Sequence, residues 1–251
     1  MKIIAASIVQ NEEKHIEGMI RSVSWVDEIV IYNDYCSDKT IEKLDKLSQK
    51  QGLPKIHIIN PLGEKTMLSF LKDGTRDLSN EIHIRNLFLK TVFNKYNPSV
   101  VVLIDGDELI SSNLLSYIKR VLSNEEYDSI ALTCNHIYDE SCYLNIYPAI
   151  WNNVKMVDPH IRVLKNFQQY QQGKYPRVPD CFLKPTKKTL CLDLPIHYHL
   201  KYIKYFGNTN HSLRFLTKDV KKFGRTDYVK PNRFGFPVDL KLLIYDTLFK
   251  L

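Results

Sequence analysis

The first half of the chain alternates short apolar runs with amphipathic stretches. Residues 3–9 form an apolar run of strand length. Behind it Asn11 is placed to cap a helix, with Glu12 and Glu13 favourable in its first turn. Ile16, Met19, Ile20 and Val23 then recur at i, i+3, i+4 and i+7, which is one apolar helical face. Residues 28–32 predict a second strand. Ser37 or Asp38 caps a helix carrying Ile41, Leu44 and Leu47, Gly52-Leu53-Pro54 breaks it, and residues 55–59 predict a third strand. A long polar connection over residues 60–78 precedes a helix over 80–95 with Ile82, Leu89 and Phe93 on one side. Residues 99–104 then read as a buried strand rich in β-branched side chains. Strand and helix in alternation predict a mainly parallel sheet with helices on both faces, an α/β fold.

The second half lacks that rhythm. A helix is expected around Leu114, Leu115, Ile118, Val121 and Leu122, and strands over 129–133 and 160–164. Residues 139–159 are irregular and aromatic, and 165–190 are polar and contain Pro176, Pro179 and Pro185. Helices are expected over 201–223 and 239–249, with loop over 230–237. With no repeat and no clear linker, residues 1–251 are expected to form one domain. Its first half spans 1–110, and its second half, 111–251, ends in a helical extension.

The strand over 99–104 runs directly into Asp105-Gly106-Asp107-Glu108. In an open α/β sheet the carboxyl ends of the strands are where ligands bind. Three carboxylates in four residues repel one another unless a cation sits among them. A divalent ion such as Mg2+ or Mn2+, held by carboxylates and substrate phosphates, suits that chemistry. An EF-hand loop does not fit, because Ile110 stands where that loop requires glycine.

The remaining properties narrow the class. No apolar run approaches the ~20 residues that cross a bilayer, and Met1-Lys2 with its apolar sequel runs at once into Gln10-Asn11-Glu12-Glu13, as a first strand does. The five cysteines are odd in number and none are spaced C-x-x-C, which points to a reducing, cytoplasmic setting; peripheral membrane contact stays open. The net charge of +7 is concentrated toward the C-terminal part, for example Lys201, Lys204, Arg214, Lys221 and Arg225. It suits an anionic donor, an anionic acceptor, a membrane surface or nucleic acid.

Four blocks, in order, resemble a family 2-like glycosyltransferase of the GT-A fold. They are Ile8-Val9-Gln10-Asn11-Glu12-Glu13, the stretch 26–40 from Val26-Asp27-Glu28 to Ser37-Asp38-Lys39-Thr40, Arg85-Asn86, and Ile104-Asp105-Gly106-Asp107-Glu108. A fifth, Pro195-Ile196-His197-Tyr198-His199-Leu200-Lys201, resembles the family's late histidine block. The sequence departs from the family at Asn33, where an aspartate is usual, and at Tyr35-Cys36 in place of Gly-Ser.

The resemblance implies a GT-A, Rossmann-like fold and transfer of a sugar from a nucleotide-sugar, UDP-linked in the leading reading, to an acceptor hydroxyl, with inversion. Mn2+ or Mg2+ is the implied cofactor, held by Asp105, Asp107 and His197. Val9, Asn11, Glu13, Asn33, Asp34, Arg85, Asp105, Gly106 and Lys201 are the implied donor-binding residues. Asp34 stands in for Asn33 at the base, or the donor carries another base. Asp180, or else Asp158, would be the general base. The acceptor is a carbohydrate or glycolipid, with anionic examples included. The alternatives are a basic nucleic-acid-binding protein without enzymatic activity, and a glycosyltransferase acting on modified DNA bases. The first accounts for the charge but not for clustered acids at a strand end.

Overall fold

In the computed structural model the described residues are 1–61, 65–123, 125–139, 142–144, 148–175, 178–200 and 228–229. Four strands build the centre: β1 (Ile3–Val9), β2 (Glu28–Asn33), β3 (Lys55–Ile59) and β4 (Val100–Leu103). Helices α1 (Ile16–Ser22), α2 (Thr40–Ser48) and α3 (Leu78–Tyr96) connect them. The order is β3-β2-β1-β4 and all three pairings are parallel.

Strands β1, β2 and β4 are buried on both faces, which is why they read as nearly continuous apolar runs, whereas the edge strand β3 is only half-buried. Ile3, Ala5 and Val9 of β1, Ile29 and Ile31 of β2, and Val100 and Val102 of β4 pack toward α1 and α2. Ile4 and Ala6, Val30 and Tyr32, and Val101 and Leu103 pack on the other side toward Ile84, Phe88, Leu89 and Val92 of α3. The period of two along each strand thus feeds two separate cores.

Beyond β4 the chain forms β5 (Glu108–Ile110), α4 (Leu114–Ser123), β6 (Ser129–Asp139) and β7 (Cys142–Leu144). A hairpin of β8 (Pro148–Trp151) and β9 (Val154–Val157) leads into β10 (His160–Leu164). A second hairpin, β11 (Gln171–Tyr175) with β12 (Val178–Phe182), precedes the long β13 (Thr189–His199); Tyr228–Val229 is β14. Strand β10 lies antiparallel between β4 and β6, so the sheet continues from its parallel half into a mixed half. Strand β13 runs parallel to β6 and antiparallel to β5. Among the described residues no helix is long and apolar enough to cross a membrane.

The structure departs from the expected elements in identifiable ways. Asn11 does not cap α1; its backbone is left-handed (φ 58°) and its side chain faces the β2–α2 loop instead. Asp38, not Ser37, serves the start of α2, accepting the Thr40 N–H at 2.9 Å. Within the stretch expected to be irregular, residues 148–157 form a hairpin, because Asn152 and Asn153, both at positive φ (46° and 65°), make the tight turn that closes β8 on β9. The polar stretch 165–190 holds β11 and β12, which antiparallel pairing rather than apolar character defines. The helices expected over 201–223 and 239–249, and Lys201 itself, lie outside the described residues.

Candidate active site

The acidic turn sits where β4 ends. Ile104 N–H still bonds the Ala6 carbonyl at 3.1 Å, and the next residue leaves the sheet. The turn is closed by Glu108 N–H to Asp105 O (3.1 Å) and by the Glu108 carboxylate accepting the Asp105 N–H (2.9 Å). Gly106 is needed because a Cβ there would lie 2.6 Å from Cγ of Glu12.

Two of the three acids share an arginine and the third meets a histidine. Glu108 is buried (side chain 2 % exposed) and bonds Arg162 Nη2 and, at 3.0 Å, His197 Nε2. Asp105 (36 % exposed) meets the same Arg162 Nη2 at 3.1 Å, and Arg85 approaches it at 3.8 Å. Burial pushes Asp105 upward, but Arg162 and Arg85 outweigh it and hold the carboxyl well below its ordinary range. Among the described residues no arginine lies at ion-pair distance from Asp107; its Oδ2 lies 3.0 Å from His199 Nε2. Its carbonyl accepts the Leu200 N–H, which fixes the end of β13 against the turn.

The resemblance implied His197 as a ligand beside Asp105 and Asp107; in the structure His197 is fully buried against Glu108, and His199 is the ring that reaches Asp107. Both histidines share one side of β13, and its register sets Cys134 opposite His197 and His136 opposite His199. The chain of contacts then continues: His199 Nδ1 to His136 Nδ1 at 3.1 Å, and His136 Nε2 to Asp158 Oδ2 at 2.7 Å.

His136 donates from Nε2 to Asp158, so its Nδ1 accepts the proton of His199 Nδ1. Burial lowers the His136 pKa and favours a neutral ring there. The other His199 nitrogen, Nε2, lies 3.0 Å from Asp107 Oδ2, a pair that a ring proton bridges and that a divalent ion bound by imidazole and carboxylate would equally bridge.

Of the other expected donor residues, Val9, Asn11, Glu13, Asn33 and Asp34 lie at the same carboxyl edge and are engaged within the protein. Asn11 Oδ1 accepts the N–H groups of Ser37 (2.7 Å) and Asp38 (3.3 Å). Glu13 accepts the Lys39 N–H at 3.1 Å and its own N–H bonds Asp38 at 3.0 Å. The Val9 carbonyl accepts the Asp34 N–H, and Asn33 Oδ1 accepts the Cys36 N–H. Asp34, expected as a base-reading alternative, is fully buried, and both its oxygens accept the Met67 N–H at 2.9 Å. It therefore ties down the long connection after β3 and has no oxygen turned to solvent. Arg85, whose Nε bonds Glu81 at 3.0 Å, lines a small cleft with Ala6, Ile8, Asp105, Arg162 and Tyr170.

Of the two expected bases, Asp180 lies on β12 with its side chain 33 % exposed and 3.4 Å from Arg76. Asp158 is turned inward to His136 and to His160 (3.4 Å). Sequence reasoning missed Arg162, His136 and Cys134. The one local signal was an arginine inside the otherwise apolar Ile161 to Leu164 run.

The chain superposes on S. aureus TarS 1-349 with a TM-score of 0.50 at 13% identity, covering 80% of this chain and 61% of that one. The fold is that of the GT-A glycosyltransferases. Other GT-A structures align over less of the chain. TarS 1-349 with UDP-GlcNAc aligns at TM-score 0.41 and 17% identity over 59% of this chain and 38% of that one. The mannosyltransferase PcManGT from Pyrobaculum calidifontis, with GDP-Man and Mn2+, aligns at TM-score 0.40 and 14% identity over 55% and 36%. The chain thus spans less than two thirds of the length of each of these GT-A structures. No family profile and no curated protein matches the sequence.

Proposed function

We propose that the protein transfers a sugar from a nucleoside-diphosphate sugar, UDP-linked in the leading reading, to an acceptor hydroxyl, with inversion and with help from a divalent ion. The observation that carries this reading is the pairing of Asp107 Oδ2 with His199 Nε2 at 3.0 Å, at the sheet edge where GT-A folds take their donor. Asp107, Asp105 and His199 would hold the ion, with His199 in the place first expected of His197. A divalent ion, Mn2+ or Mg2+, supplies positive charge beside the departing diphosphate.

The chain's own residues do the rest. Arg162 and Glu108 hold the acidic turn rigid, so that Asp105 and Asp107 stay aimed at the donor. Val9, Asn11, Glu13 and Asn33 fix the two loops that border the nucleotide. Asp180 is the better candidate to take the acceptor proton, because it is open to solvent where Asp158 is turned inward. Residues 1–110 form the donor half and 111–251 the acceptor half, and the basic charge suits a glycan or glycolipid acceptor, anionic ones included.

A thermal-shift panel tests this directly. UDP-, GDP-, TDP- and CMP-sugars are each added with and without Mn2+ or Mg2+ to the wild type and to Asp107→Ala. Stabilisation by one nucleotide only when the ion is present, abolished by Asp107→Ala, is the expected result. No stabilisation by any nucleotide with the ion present would overturn the reading and turn attention to salt-dependent nucleic-acid binding.

A further inference from the structure

Asp105 and Glu108 share Arg162, whereas among the described residues Asp107 and Asp158 have imidazoles as their ion-pair partners. The Asp107 corner belongs to the donor site. The Asp158 corner does not, and it contains a thiol.

Cys134 is buried on β6, and three groups of potential ligands surround it. Glu108 and His197 form one, but Glu108 is already met by Arg162. His136 and His199 form another, but that group has no carboxylate and His199 is engaged with Asp107. Asp158 and His160 form the third. Its atoms lie within 4.8 Å of one another, and Asp158 to His160 is 3.4 Å, close to an edge of a tetrahedron around one ion. Bonds of ~2.3 Å to sulfur and ~2.0 Å to nitrogen would close that group with small side-chain shifts. The His160 side chain is 38 % exposed, so an ion can enter there from solvent.

We propose that Cys134, Asp158 and His160 bind a second divalent cation of the Zn2+ class, separate from the donor-site ion. Thiolate with imidazole selects zinc over the oxygen-loving Mg2+ and Mn2+. Burial first, then the neighbouring Asp158 and Glu108, push the Cys134 thiol well above its ordinary range, so binding must displace its proton and weakens in acid. The ion joins β6 to the β9–β10 turn, and Asp158 in turn orients His136. The inference stands whether or not the donor reading does.

Cobalt(II) tests it. The full chain, stripped by chelator and kept reduced, is titrated with Co2+ and followed in the near ultraviolet, where only sulfur ligation gives an intense charge-transfer band. A band saturating at one equivalent, displaced by Zn2+ and not by excess Mn2+, is expected. It should vanish in Cys134→Ser and fall at least tenfold in apparent affinity in His160→Ala, a partly exposed position that leaves the fold intact. It should persist in Asp107→Ala. Absence of the band, or its survival in Cys134→Ser, overturns the proposal. So does its loss in folded Asp107→Ala with retention in His160→Ala, which would assign the thiol to the donor-site ion.

Discussion

Arg162 carries more of the acidic turn than any side chain in the turn itself. One guanidinium nitrogen meets both Asp105 and Glu108, and Glu108 has almost no access to water. Removing one partner of a buried ion pair leaves the other charge without compensation, which costs about 3–5 kcal/mol. Arg162→Met should lower unfolding stability by roughly that amount in urea denaturation. Adding Glu108→Gln should recover part of the loss, because the stranded charge goes with it. Equal stability of Arg162→Met and wild type would show that the turn does not depend on the pair. Gly106 acts by its lack of a side chain, since Glu12 fills the space a Cβ would need.

At the scale of elements, the loops after β1 and β2 are lashed together by side chains that also belong to the recognisable motif. Asn11 accepts from Ser37 and Asp38, Glu13 accepts from Lys39, and Asp38 accepts from Glu13. Asn11 does this from a left-handed backbone, a conformation asparagine tolerates better than alanine. Asn11→Ala loses the bonds and adds backbone strain, and should destabilise by about 2–4 kcal/mol. Asn11→Gly loses only the bonds and should fall between alanine and wild type. Thermal unfolding of the two variants checks the order, and alanine equal to glycine would remove the strain component from the account.

Across the whole molecule, buried titratable groups make stability depend on pH. Burial brings His197 down to about 4, with Arg162 adding to the effect and Glu108 opposing it. An unfolded histidine titrates near 6.5. Between these values the unfolded chain binds a proton that the folded chain does not, so acidification favours unfolding. His197 contributes stability that is full above pH ~6.5 and is lost as the pH falls toward 4, at up to about 1.4 kcal/mol per pH unit. Asp105 and Glu108, held low in the fold, extend the loss below that window with the same sign. Urea midpoints measured from pH 7.5 to 5 should fall in the wild type and change less in His197→Gln. Identical slopes would refute the assignment to His197.

The sequence by itself determined the parallel half of the fold and the position of the acidic turn. Strands buried on both faces must be apolar throughout, and Val100 to Ile104 could hardly be read otherwise. The apolar face of α1 was legible because it repeats at helical spacing, and α3 from its length and apolar side. The β8–β9 and β11–β12 hairpins were missed because their strands are short, and only antiparallel pairing distinguishes them from loop. The tertiary structure alone decided which groups meet. Arg162 reaches Asp105 across 57 positions, and His199 reaches Asp107 across 92. Alternation sets His197 and His199 on one side of a strand, but a side is not a neighbour. The register of β13 on β5 and β6 brings His199 to Asp107 and His197 to Glu108, and register comes from the packing of the whole sheet.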